Sequence, residues 1–134
     1  MVLVDAGPLV ALIDRTDRHH LACREALDSI REPLSTVWPA FTEAMYLLRS
    51  SAEAQRTLWN MIEGGGVRIL DLGTEDCPRM RELMWKYRDQ PMDFADAALV
   101  RVAEREHCRR IFTIDGRDFQ IYRPDGLGRF EILP

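Results

Sequence analysis

Short apolar runs separated by helical segments constrain the fold of this chain more than any other feature. Residues 1–4 form a continuous apolar run that ends in Asp5, and residues 110–114, another expected strand, end in Asp115. Runs of this length are typical of strands buried on both faces. Buried strands that alternate with helices predict a parallel sheet covered on both sides. The sequence therefore predicts an α/β fold, a three-layer α/β/α sandwich with a central, mainly parallel sheet.

Cap residues and helix breakers predict the other elements. Further strands are expected at 34–37, 67–72 and 130–133. Helices are expected at 9–13, 17–30, 38–48, 52–62, 74–87 and 93–107, with a turn or short helix at 116–119. Asp17 is the expected cap of the second helix, and Asp89, Gln90 and Pro91 are the expected break before the last long one. The expected inner stripe of the second helix is Leu21, Ala22, Ala26 and Leu27. With no repeat or linker, residues 1–134 are expected to form one domain.

Charge and cysteine content narrow the classes of protein to which this chain can belong. The formal net charge of −4 is unusual for a nucleic-acid-binding protein, but the cations are arginines except for Lys86, and arginine is well suited to phosphate. The three cysteines show no CxxC spacing, so we interpret them as reduced thiols of a cytoplasmic protein, not as zinc ligands. No apolar run is long enough to cross a bilayer, and no secretion signal is expected.

Two acids lie three residues apart at the expected start of the last long helix. Asp93 and Asp96 share one helical face, so both carboxylates can approach the same point. The alternative interpretation is structural, because Asp is common as an N-cap and acids in the first turn interact favourably with the helix dipole. Either interpretation fits this stretch taken alone.

Acids from distant segments are expected at one edge of the sheet. Asp5 and Asp115 follow strands, Glu43 lies early in a helix, and Asp96 begins another. Two like charges about 4 Å apart repel by about 4 kcal/mol at an effective dielectric constant near 20, so a cluster of them requires a cation or a proton. Oxygen ligands without His or Cys favour Mg²⁺ or Mn²⁺, which supports phosphodiester hydrolysis. Thr113 is expected to face the same side and to orient a water or an acid.

These segments, taken in order, resemble a PIN domain of the VapC toxin type, nearly from end to end. The stretches that carry the resemblance are Val2 to Asp5, Asp17 with His20, Thr42 with Glu43, Asp93 to Ala97, and Thr113 to Phe119. The resemblance implies metal-dependent cleavage of RNA, inhibition of translation, neutralisation by a cognate antitoxin, and a homodimer.

The resemblance also assigns roles to individual residues. Asp5, Glu43, Asp96 and Asp115 match the family's acidic quartet, in which the positions of Asp5 and Asp96 are most often assigned to Mg²⁺. Asp93 and Asp118 match accessory acidic positions that vary among members. Asp118 has an alternative role as a cap of the turn before Phe119.

Basic and aromatic residues are weaker candidates for contacts with RNA or with a partner. Arg117 and His20 are candidate RNA-binding residues, although a histidine near a helix start is more often packed or solvated. Arg101 and Arg105 could bind phosphates or form a solvated helix face. A dimer surface is expected on helices away from the acids, around Tyr46 and Trp59.

The sequence leaves two other functions open. One is a receiver-like phosphoacceptor domain, which needs a lysine after a late strand, whereas Lys86 falls within an expected helix. The other is a PIN-like domain that binds RNA, or acts as a scaffold, without cleaving RNA. Cleavage by the enzyme would stop in EDTA, whereas binding by such a domain would not.

Overall fold

A computed structural model describes residues 1–90 and 92–134; Pro91, part of the expected helix break, lies outside the described residues. The strands in this part of the chain are β1 (Val2–Val4), β2 (Leu34–Thr36), β3 (Val67–Ile69), β4 (Arg110–Phe112) and β5 (Glu131–Leu133). The helices are α1 (Ala6–Ile13), α2 (His20–Ser29), α3 (Trp38–Leu47), α4 (Ala52–Glu63), α5 (Cys77–Lys86), α6 (Phe94–Glu106) and α7 (Gly116–Ile121). Each expected strand is present, and β3 ends three residues earlier than expected.

The five strands form one sheet in the order β3-β2-β1-β4-β5, and every neighbouring pair is parallel. This arrangement confirms the predicted parallel α/β fold. The chain runs outward from β1 to β2 and β3, then returns to the other side of β1 for β4 and β5. The order therefore reverses between β1 and β4, and the carboxyl ends of two strands at such a point form the crevice where ligands bind in open α/β sheets.

Alternating side chains of β1 divide the core into two layers. Val2 and Val4 point into a layer formed with α1, α2, α4 and part of α3, whereas Leu3 points into a layer formed with α5, α6 and α7. All three side chains are fully buried, as the continuous apolar run predicts. Helix α3 contributes to both layers, because it packs against α1 and α6.

The first two helices begin at other residues than expected. Helix α1 starts at Ala6, three residues early, because the Asp5 carboxylate accepts the Ala6 N–H and Pro8 needs no N–H partner in the first turn. Helix α2 starts at His20, three residues late, because the Asp17 carboxylate closes a turn by accepting the His19 N–H. The predicted inner stripe of α2 is wrong for Leu21, which is 69% exposed, and for Ala22, which is also exposed. Ala26 and Leu27 are partly buried against the core, and Cys23 is the residue of this helix that is fully buried.

The segment expected as a helix over 74–87 is divided in two. A 3₁₀ turn over Thr74–Asp76 precedes α5, and the Asp76 carboxylate accepts the N–H of Gly73. Helix α6 agrees with the prediction to within one residue, with Asp93 as its N-cap and His107 in the left-handed conformation at its end. None of the helices in 1–90 and 92–134 combines the length and the apolar content needed to span a membrane.

Candidate active site

The ends of β1 and β4 are joined by side-chain hydrogen bonds beside Asp5. Asp5 is 3% exposed, and its Oδ1 accepts the Ala6 N–H at 2.8 Å. Its Oδ2 accepts a hydrogen bond from the Thr113 hydroxyl at 3.0 Å, and the same hydroxyl oxygen accepts the Asp115 N–H at 3.0 Å. Thr113 therefore orients an acid, one of the two roles that the sequence predicts for it, and it links Asp5 to the backbone of Asp115.

Asp96 lies in the first turn of α6. Its backbone N–H donates to the Asp93 carboxylate at 2.9 Å, so Asp93 has the N-cap role that the alternative interpretation gave it. The Oδ2 atom of Asp96 accepts a hydrogen bond from the Tyr122 hydroxyl at 2.7 Å. Sequence reasoning missed Tyr122, which directly follows α7 and is 1% exposed, because its only signal is an aromatic side chain three residues after Phe119.

The other acids come from α3 and from the start of α7. Asp115 directly precedes α7, Asp118 lies in its first turn, and Glu43 is an exposed residue of α3. Asp115 gives α7 no side-chain cap, and no hydrogen bond of the described residues involves the Asp118 carboxylate, so the structure does not support the capping role considered for Asp118. The Asp115 and Asp118 carboxylates are therefore available for contacts outside the chain.

Burial and mutual repulsion raise the pKa values of the two most buried acids. The pKa of Asp5 rises to about 7, mainly because of its burial, with Asp115 and Glu43 adding repulsion against the hydrogen bonds from Ala6 and Thr113. The pKa of Asp96 rises to about 8, again mainly through burial, with repulsion from neighbouring acids that include Asp5. These acids therefore lie within electrostatic range of each other.

The acids nearer the surface are coupled to the same group. Burial raises the pKa of Asp115, and Asp118 and Asp93 raise it further. The pKa of Glu43 is raised first by burial and then by Asp93 and Asp115. Each of the six predicted acids therefore lies within electrostatic range of at least two of the others; the six are Asp5, Glu43, Asp93, Asp96, Asp115 and Asp118. We call these six residues the acid cluster.

The acid cluster has the chemistry of a divalent-cation site. None of the ion pairs formed within 1–90 and 92–134 includes a member of the cluster. Nor do three His, Cys, Asp or Glu side chains of this part of the chain already form a metal-holding group. Carboxylates that repel one another and have no arginine partner fit a hard cation such as Mg²⁺ or Mn²⁺, which would draw their oxygens together.

His19 and His20 are adjacent in sequence but lie in different environments. His20 is held by its Nδ1, which lies 2.6 Å from the Ala11 carbonyl oxygen of α1, so its ring joins α1 to α2. His19 is close enough to Asp115 to lower the pKa of that acid. The Arg18 Nε donates a hydrogen bond to Nε2 of His19 at 3.1 Å. His19 is therefore the histidine beside Asp115, whereas the sequence had favoured His20.

The arginines on α6 do not belong to the site. Arg101 and Arg105 both contact the carboxylate of the fully buried Asp76, at 2.7 and 3.0 Å. Their guanidinium groups are therefore held by Asp76, a role that neither interpretation of this pair, phosphate binding or a solvated face, included. Arg117 differs, because it is exposed and lies between Asp115 and Asp118.

An open groove of about 620 Å³ runs beside the cluster between α3 and the start of α6. Glu43 and Asp93 of the acid cluster line this groove. Four large, mainly apolar side chains also line it, and each is about half exposed. These side chains, which we call the groove residues, are Trp38, Tyr46, Leu47 and Phe94. The apolar surface around Tyr46 is therefore next to the acids, and the expectation that it lies away from them is wrong.

The structure contradicts the receiver-like alternative. The sheet order places β1 between β2 and β4, with β3 at an edge, whereas receiver domains have the order 2-1-3-4-5. Lys86 ends α5 and its ammonium lies over the Tyr87 ring, 5.3 Å from the ring centre, so it does not follow a late strand.

Comparisons with known proteins agree with this fold. The family model described as "PIN domain" matches residues 2–124. Ribonuclease VapC26 of Mycobacterium tuberculosis is 31% identical over 135 residues, which cover 99% of this chain and 100% of that protein. The crystal structure of Mycobacterium tuberculosis VapC20, a Sarcin-Ricin loop cleaving toxin, superposes with a TM-score of 0.83 at 17% identity, covering 100% of both chains. A chain of a toxin-antitoxin complex from Klebsiella pneumoniae superposes with a TM-score of 0.72 at 16% identity, covering 100% of this chain and 97% of that chain.

Proposed function

Because the chain belongs to the PIN domain family, we propose that it is a metal-dependent endoribonuclease and the toxin of a toxin–antitoxin pair. The full-length similarity to a named VapC ribonuclease supports cleavage of RNA. The observation that carries the proposal is the electrostatic coupling of six acids from four distant segments beside the carboxyl ends of β1 and β4, none of which forms an ion pair within the described residues.

The carboxylates of the acid cluster divide into two groups by burial. Asp5 and Asp96 are the most buried and are held by hydrogen bonds from Thr113 and Tyr122, so we assign them to hold Mg²⁺ or Mn²⁺. When bound, such an ion supplies Lewis-acid polarisation of the phosphate and activation of the attacking water. Glu43 and Asp115 are more exposed and complete the site from α3 and from the end of β4.

The protein's own residues position the substrate and accept a proton. A carboxylate with a raised pKa can accept the proton of the attacking water near neutral pH, and Asp115 and Glu43 are placed at the open side where RNA enters. Arg117 is exposed beside Asp115, so its guanidinium can bind a neighbouring phosphate. Asp93 and Asp118 add negative charge, which strengthens the retention of a cation.

Three partners follow from this proposal. The substrate is RNA, which binds along the open face of the acid cluster. We also propose that the protein acts in the cytoplasm. A cognate antitoxin neutralises the enzyme, as the superposition on a chain of a toxin–antitoxin complex supports. The chain forms a homodimer, and the groove residues are its candidate contact surface because large apolar side chains are exposed there side by side.

Substitution of the two buried acids tests the proposal. Purified wild-type protein is expected to cleave RNA with Mg²⁺ and to stop in EDTA, whereas Asp5→Asn and Asp96→Asn each lose activity by at least about 100-fold. Asp28→Asn, an exposed acid of α2, is the matched control and is expected to cleave at the wild-type rate. Sequencing of RNA ends after brief expression in a host without the antitoxin would identify the substrate.

Two outcomes would overturn this assignment. Full Mg²⁺-dependent cleavage by either Asp5→Asn or Asp96→Asn would remove that acid from the active site. RNA binding that is equal with and without EDTA, in a wild-type protein that cleaves nothing, would favour the non-catalytic domain instead.

A further inference from the structure

The Tyr122 side chain connects the end of α7 to the start of α6. Its hydroxyl donates to the Asp96 Oδ2 atom at 2.7 Å, across 26 positions of sequence. The hydrogen bond occupies one carboxylate oxygen and leaves Oδ1 of Asp96 without a hydrogen bond from the described residues. The bond therefore fixes the rotation of the carboxylate about its Cβ–Cγ axis.

Aromatic packing holds the Tyr122 ring in place. Tyr122 is 1% exposed, and its ring centre lies 5.1 Å from that of Tyr87 and 5.2 Å from that of Phe119, both in edge-to-face geometry. The Tyr122 N–H also donates to the Asp118 carbonyl oxygen at 3.2 Å. A buried ring with two side-chain torsions, packed against two other rings, has little freedom to move its hydroxyl.

We propose that Tyr122 is a positioning residue that orients Asp96 toward the cation of the active site. The inference rests on the proposed metal-dependent function, and it extends the site to a residue outside the acid cluster. Hydrogen bonds from a fixed partner to a ligating carboxylate restrict its orientation, and loss of such a partner typically weakens metal affinity by about 10–100-fold. Tyr122 does not act on the RNA directly, so its effect is on metal affinity.

Tyr87 provides a matched control for this role. Its ring packs on Tyr122 in the same aromatic group, but its hydroxyl accepts the Arg123 backbone N–H at 2.9 Å and does not contact the acid cluster. Tyr122→Phe and Tyr87→Phe each remove one buried hydroxyl from the same region. A purely structural contribution of these hydroxyls would therefore affect both variants to a similar extent.

The experiment measures Mn²⁺ affinity of the full chain by electron paramagnetic resonance, without RNA, and then RNA cleavage as a function of Mn²⁺ concentration. Tyr122→Phe is expected to bind Mn²⁺ about 10–100-fold more weakly and to recover most of its kcat at saturating Mn²⁺, with an unchanged KM for RNA. Tyr87→Phe is expected to retain wild-type Mn²⁺ affinity. Thermal melting of both variants without metal shows whether they are folded.

Distinct results would overturn the positioning role or the proposed function. Wild-type Mn²⁺ affinity in Tyr122→Phe, or an equal loss in Tyr87→Phe, would overturn the positioning role alone, since wild-type cleavage would persist. A wild-type protein that neither binds Mn²⁺ nor cleaves RNA would overturn the proposed function and the positioning role together.

Discussion

The Thr113 hydroxyl donates to the Oδ2 atom of Asp5 at 3.0 Å, and so joins the carboxyl ends of the two strands where the sheet order reverses. Both residues are almost fully buried. The same hydroxyl oxygen accepts the Asp115 N–H, so one side chain fixes one acid of the cluster and the backbone of another. This position is therefore sensitive to the loss of a single oxygen atom.

Thr113→Val removes that hydroxyl while keeping the shape of the side chain. We expect RNA cleavage to fall by about 10-fold or more. The free energy of unfolding should fall by about 1–3 kcal/mol, because the Asp115 N–H and the Asp5 carboxylate lose a partner. Urea denaturation and single-turnover cleavage measure the two effects. Thr113→Ser keeps the hydroxyl and should retain most of the cleavage rate and of the free energy of unfolding. Thr57→Val removes a surface hydroxyl from α4 and should change neither quantity.

Stability of the metal-free protein should depend on pH through Asp96. Its pKa is about 8 in the folded protein, against an ordinary pKa of 3.8 for an aspartate in the unfolded chain, so between these values the folded state binds a proton that the unfolded chain has lost. This contribution is present below about pH 4 and is lost as the pH rises through about 8. In EDTA, wild type should therefore lose more unfolding free energy from pH 5 to pH 8 than Asp96→Asn does. Parallel pH profiles for the two proteins would contradict the pKa assignment, and added Mg²⁺ should reduce the loss at pH 8.

Arg117→Gln tests the contact with phosphate. We expect KM for RNA to rise with little change in kcat, and the slope of log affinity against log salt concentration to decrease by about 0.7, the value for one phosphate contact on a single strand. Arg129→Gln is the matched control, because Arg129 is exposed and precedes β5 at the opposite edge of the sheet. An unchanged salt slope in Arg117→Gln would remove this residue from the RNA surface.

Asp76→Asn should affect stability and leave catalysis intact. The substitution leaves the guanidinium groups of Arg101 and Arg105 without their buried carboxylate. Breaking a buried ion pair lowers the free energy of unfolding by about 3–5 kcal/mol. We expect a loss of about 3 kcal/mol here, because both arginines are partly exposed. Chemical denaturation measures this loss, with Asp71→Asn at an exposed acid as the control. A large rise in KM for RNA in the folded variant would reopen phosphate binding by these arginines.

Leu47→Ser tests the candidate dimer surface. Leu47 is 52% exposed among the groove residues, so serine costs little in the monomer but should weaken a dimer formed there by about tenfold or more. Light scattering coupled to size exclusion measures the mass over a concentration series. Leu21→Ser replaces a similarly exposed leucine on α2 and should leave the mass unchanged. Dimers of equal strength in both variants would move the interface away from the groove.

Prediction of the elements succeeded where the signals were local. The run before Asp5 identified β1, because a short continuous apolar run is typical of a strand buried on both faces. Asp93 identified the start of α6, because its carboxylate accepts an N–H within the same turn. Prediction failed for the exposed and buried faces of α2, because which side of a short helix meets the core depends on its neighbours.

The sequence by itself determined the parallel α/β fold and the residue types of the acid cluster, since strand burial, helix capping and the order of acids along the chain are properties of short segments. Only the tertiary structure decided that Tyr122 contacts Asp96, that Arg101 and Arg105 serve Asp76, and that the apolar groove lies beside the acids. The residues of each of these three side-chain pairs are at least 25 positions apart in the sequence. Helix packing determines such contacts, and the pattern within any one segment does not encode them.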